Sequence, residues 1–136
     1  MANALYGKGR EKFLMGDIHW DTDNIKAVLV DTNDYTVSID THEFLSSVAV
    51  GGRVATSGNL DGKTVTLGVA DANDVTFTAV TGDVSEALVL ILDTGDPATS
   101  PLIAYIDTVA SGLPVTPNGG NILIQWDSGA NKIFKL

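Results

Sequence analysis

Two arrangements of apolar residues recur along the chain. Residues 63–67 (KTVTL) and 74–78 (DVTFT) alternate polar and apolar positions, the period-two mark of a strand with one face in the core and one in water. Residues 87–92 (ALVLIL) are apolar at every position, which predicts a central strand buried on both faces, between two sheets or beneath a partner subunit. The segments 102–106 and 122–126 are nearly as apolar. Residues 24–31 (NIKAVLVD) form the first expected strand, which ends at the turn former Asp31-Thr32-Asn33-Asp34. Residues 35–39 are expected as a short second strand, and 41–45 as one helical turn or a loop with Thr41 as its cap. After Gly51-Gly52 the rhythm is regular, with strands expected at 53–56, 64–69, 75–80, 87–92, 102–106 and 122–126. Gly, Asp, Asn and Pro clusters separate them. The last segment (ILIQWDSGANKIFKL) reads as a hairpin around a Ser-Gly turn, with Lys132 and Lys135 protecting an edge. Strands at this spacing without a long helix predict an all-β fold, an antiparallel β-sandwich of jelly-roll-like type.

The amino-terminal segment has a different pattern. Residues 5–18 (LYGKGREKFLMGDI) place Leu5, Phe13, Leu14 and Ile18 among Lys8, Arg10, Glu11 and Lys12, a spacing that fits one short amphipathic helix. Gly7, Gly9 and Gly16 weaken that helix, since an interior glycine costs about 1 kcal/mol relative to alanine. Residues 1–23 are therefore expected as an amphipathic arm on a sandwich domain of residues 24–136. Either the basic arm docks on a neighbouring acidic subunit, or it is a helix capping its own sheet. In the first case Leu5, Tyr6, Arg10, Phe13, Leu14 and Ile18 are the expected partner-binding residues.

Composition narrows the classes. A chain of 136 residues suits one domain, and its longest apolar run of six falls far short of the ~20 residues needed to span a bilayer. No membrane is expected, and without a basic-then-apolar leader synthesis in the cytoplasm is expected. There is no cysteine, so stability is expected from packing or assembly. Fourteen of the 17 acidic residues are Asp, most of them at strand edges. The net charge is −9, and between Lys63 and Lys132 there is no basic residue, which argues against nucleic acid as a partner.

The chemistry-bearing residues form no recognisable constellation. Asp21-Thr22-Asp23-Asn24 and Asp93-Thr94-Gly95-Asp96 invite a calcium reading but lack the glycine and terminal glutamate of the EF-hand loop, so no metal is expected. His19 and His42 have no second histidine at zinc spacing, and no G-x-S-x-G marks a nucleophile. Gly51-Gly52 and Gly119-Gly120 precede no Lys-Ser/Thr helix start and read as turns. No catalytic residue and no cofactor is expected. Trp20, Trp126, Tyr6, Tyr35 and Tyr105 are the aromatics available to a sugar-binding face, although Trp126 in its apolar strand reads first as core.

Both ends of the chain carry a resemblance. The opening MANALYGKGREKFLMGDI, followed by WDTD at 20–23 and IKAVLVD at 25–31, resembles a family of small tailed-bacteriophage virion proteins. The closing LPVTPNGG at 113–120, with the segment from Trp126-Asp127 to Phe134-Lys135-Leu136, is similar to the same family. The resemblance implies a non-enzymatic virion structural protein, first of all a capsid decoration (cement) protein. It would bind the major capsid protein on the outer surface of the head as a homo-oligomer, a trimer being one form. The alternative role is a receptor- or glycan-binding module of a tail fibre or tail tip.

Overall fold

A computed structural model describes residues 3–136. In chain order the elements are β1 (Ala4–Leu5), the helix α1 (Gly7–Met15), β2 (Ile25–Val30), β3 (Arg53–Thr56), β4 (Thr64–Thr66), β5 (Val69–Asp71), β6 (Val75–Phe77), β7 (Ala87–Leu92), β8 (Leu102–Ile106), β9 (Ile122–Ile124) and β10 (Phe134–Lys135). All strand pairs are antiparallel. They build a five-stranded sheet in the order β1-β8-β7-β2-β3 and two small sheets, β10-β5-β4 and β6-β9. The fold is all-β with one short helix.

The uniformly apolar strand β7 lies at the centre of the large sheet, and Ala87 to Ile91 are all buried. Its side chains serve two cores in alternation. On one face Leu88 and Leu90, with Ala27 and Leu29 of β2, pack against Phe77, Ile122 and Ile124 of β6 and β9, against Ile133 just before β10, and against Trp20 and Trp126. On the other face Ala87, Val89 and Ile91, with Val28 and Val30, pack against Tyr6, Tyr35, Leu45 and Val48. Each such aliphatic side chain contributes about 1.5–3 kcal/mol by leaving water. One cover is thus a second sheet layer, and the other is the turn-rich stretch between β2 and β3.

Three expectations need correction, and of the two placements left open for the amino-terminal segment the structure has the helix on its own sheet. Residues 35–39 form no strand, because Asp34 N–H and Tyr35 N–H both bond the Asp31 carbonyl in a turn and Tyr35 enters the second core. The expected strand 64–69 is the hairpin β4-β5, reversed at Leu67 and Gly68 with φ of 51° and 79°. The carboxyl-terminal hairpin does not form: β9 pairs with β6, and β10 pairs with β5. Finally, the part of residues 1–23 that the structure describes is built into the body. β1 pairs with β8 at the edge of the large sheet, and α1 packs on β8. A methyl group at Gly9 would sit 2.7 Å from the Leu102 carbonyl oxygen, so this glycine permits helix and strand backbones to touch. Gly16 ends the helix at φ 77°, its N–H facing the Lys12 and Phe13 carbonyls. The glycines that weaken an isolated helix fit this one to its sheet.

Candidate functional site

The six expected partner-binding residues divide in two. Leu5, Tyr6 and Ile18 are buried in the cores of their own chain and offer no surface to a partner. They are corrected to structural residues: α1 lies against β8, and Tyr6 N–H bonds the Ile103 carbonyl at 2.9 Å. Arg10 and Leu14 remain exposed, and Phe13 is partly buried against Phe134, ring centroids 5.9 Å apart. Lys8 and Lys12 are occupied by Glu11 and Glu43, at 3.2 Å and 2.8 Å.

Around Phe13 the surface is apolar. A groove of about 180 Å³ is lined by Phe13, Trp20, Val65, Ala70, Phe134 and Leu136, with Gly68 at its rim. Trp20 stands edge-on to Phe134 with centroids 5.2 Å apart, which fixes the floor. Leu14 and Met15 continue from Phe13 on the last helical turn, and Leu67 continues from Gly68 at the hairpin tip. Their exposure is high: Leu14 84%, Met15 63%, Val65 57%, Leu67 92% and Leu136 55%. Five of the eight large apolar side chains that face water among the described residues thus come from three segments meeting at this groove.

Leu67 is the most telling of them. It occupies the left-handed region at the first position of a two-residue hairpin turn, where Asn, Asp or Gly is preferred and a leucine pays a steric cost of about 1–2 kcal/mol. Burial does not offset that cost, because the side chain is almost wholly in water. An apolar side chain held in a strained, exposed position, at the tip of the hairpin whose Val65 lines the groove, is the pattern of a contact residue. Sequence reading missed Leu67 and Val65 because both were assigned to one continuous strand.

The polar chemistry lies elsewhere. Tyr6, Tyr35 and His42 form a chain, with 2.7 Å between the two hydroxyls and 2.8 Å from Tyr35 Oη to His42 Nδ1. Burial pushes both phenols above their ordinary range, and for Tyr6 the hydrogen bond with Tyr35 adds to it. Burial raises Tyr105 as well, with the charges of Asp107 and Glu86 adding to the effect. The two Asp-rich turns that invited a calcium reading are engaged locally. Asp23 accepts from His19 N–H, and Asp96 from Ala98 N–H. The hydrogen bond from Lys26, 2.8 Å away, and then that from Gly95 N–H hold the Asp93 carboxyl below its usual range. Among the described residues one group of acids stands at cation-binding distance, Asp31, Asp34 and Asp83, with oxygens within 4.8 Å of one another. Asp31 is buried there and the other two are exposed. Residues so far apart in sequence left no local motif to read.

The five aromatics considered for a sugar platform, Tyr6, Trp20, Tyr35, Tyr105 and Trp126, are all buried. Both indoles spend their N–H on backbone carbonyls, Trp20 on Asp71 at 3.1 Å and Trp126 on Asn73 at 2.9 Å. No helix among the described residues is long and apolar enough to cross a membrane. A scan against protein-family models and a search of curated proteins find no match for this chain.

Proposed function

We propose that the chain is a non-enzymatic structural protein of a tailed-phage virion, a decoration protein that attaches copies of itself to the outer surface of the head. The observation that carries the reading is the strained, exposed Leu67 at the tip of the hairpin whose Val65 lines the apolar groove with Phe13, Phe134 and Leu136. A protein that coats a shell needs a rigid body and a contact surface that sacrifices some of its own solubility. The two-faced core supplies the first and the apolar strip supplies the second. Repetition over many identical sites then makes a modest contact sufficient. The acidic remainder of the surface keeps the protein off packaged nucleic acid. The glycan-binding alternative has less support, because the aromatics it needs are in the core.

Cosedimentation with phage heads assembled without the chain tests the reading. Wild-type protein is expected to pellet with heads, and a Leu14→Ser/Leu67→Ser variant to lose about tenfold or more in affinity, as removal of about 1.4 kcal/mol of contact would cause. Retention of wild-type affinity by a folded double variant would remove the strip from the account.

A further inference from the structure

The large sheet ends in β1 on one side, and the small sheet containing β4 and β5 ends in β10. These two terminal strands face each other across a second groove, of about 460 Å³, lined by Asn3, Leu5 and Ile106 on one wall and by Ile133, Phe134 and Lys135 on the other. Edges of this kind are where one chain meets another. The charge of the groove is opposite to that of the protein. Arg10, Lys132 and Lys135 line it against the single acid Asp127, on a chain of net charge −9. Asp127 is already engaged, since one of its oxygens accepts from Gly129 N–H. Arg10 and Lys135 are exposed and have no ion-pair partner among the described residues. Such cations, set in a mainly polar groove with one acid, select a partner that brings carboxylates.

The opposite edge of the same sheet carries those carboxylates. Asp31 and Asp34 follow β2, and Asp31 N–H bonds the carbonyl of Gly52, the residue before β3. Asp83 completes the trio, and no Lys, Arg or His of the chain bridges any of the three among the described residues. Three carboxylates within 4.8 Å repel one another and are relieved by an incoming cation. Three strand spacings, roughly 14 Å, separate β1 from β2, so the two features cannot neutralise each other within one molecule.

We infer that the basic groove between β1 and β10 receives the Asp31/Asp34/Asp83 edge of a second copy of this chain. Because the two patches differ, the contact is head-to-tail and closes into a ring or grows as an open chain. Opposed fields steer the encounter and set its register, and salt weakens it. The inference deepens the self-assembly part of the reading above. Its test needs no phage head and leaves Leu14 and Leu67 intact, so failure here and failure of head binding are separate results.

The test is sedimentation velocity of the full chain with two variants. Arg10→Glu/Lys135→Glu reverses the groove, and Asp34→Lys/Asp83→Lys reverses the trio. All four side chains are exposed, and matching thermal melts verify that each variant folds. Wild-type protein is expected to associate at about 0.05 M salt and to dissociate at about 0.5 M. Each variant alone is expected to sediment as a monomer at both salt concentrations, and an equimolar mixture to associate again, because each supplies the patch that the other lacks. A monomeric wild type at low salt, variants that associate as the wild type does, or a mixture that stays monomeric would each overturn the inference.

Discussion

Leu90 and Leu14 are the same residue under opposite conditions. Leu90 sits on the central strand, wholly enclosed between the large sheet and the small ones, while Leu14 stands 84% exposed at the end of α1. The same contrast runs through the molecule. The five-stranded sheet uses its apolar residues on both faces and leaves them little contact with water. The strip formed by the helix end, the hairpin tip and the last residues holds its apolar side chains outside. Hydrophobicity specifies the fold in the first region and is available for a partner in the second.

Substitution sharpens the comparison first through stability. Leu90→Ala is expected to destabilise the protein by about 2–5 kcal/mol, the range for a buried leucine whose cavity cannot collapse. Leu14→Ala is expected within about 0.5 kcal/mol of wild type. Urea unfolding of the two variants measures both, and similar losses would erase the distinction between the regions.

The second face of the sheet predicts an alkaline limit. Burial raises Tyr6 and Tyr35 above the ordinary phenol value, so the folded state favours their neutral forms. That contribution is complete below about pH 10, where unfolded tyrosine ionises, and is lost as pH rises from there toward the higher folded values. Tyr6→Phe is expected to cost about 1 kcal/mol at neutral pH for the lost hydroxyl contact with Tyr35, and to flatten the fall in stability above about pH 10. Denaturation curves from neutral to alkaline pH read both effects. An unchanged alkaline slope would mean that Tyr6 does not govern it.

The two regions also differ in how far they can be read from sequence. The spans of β7 and β8 were legible to the residue, because a continuous apolar run bounded by Asp, Gly and Pro leaves few alternatives. Burial on both faces followed from the same run. The hairpin at Leu67 was not legible, since a leucine stands where the usual Asn or Gly would mark the turn. The partners of β9 and β10 were also hidden, because local pattern identifies a strand without saying which distant strand it joins. For the candidate surface, the amphipathic spacing pointed to Arg10, Phe13 and Leu14 but also to Leu5, Tyr6 and Ile18. Only the packing of α1 and β1 against β8 separates the two sets.

Leu67 gives the most direct measurement, because strain and contact act on it in opposite directions. Asparagine tolerates the left-handed conformation, so Leu67→Asn is expected to raise stability by about 0.5–1 kcal/mol. The same variant is expected to bind phage heads less tightly than wild type, since an apolar contact is replaced by a polar one. Urea unfolding and head cosedimentation of this single variant test the central claim together. A more stable protein with weaker binding is the predicted result, and a more stable protein that binds as well as wild type would contradict it.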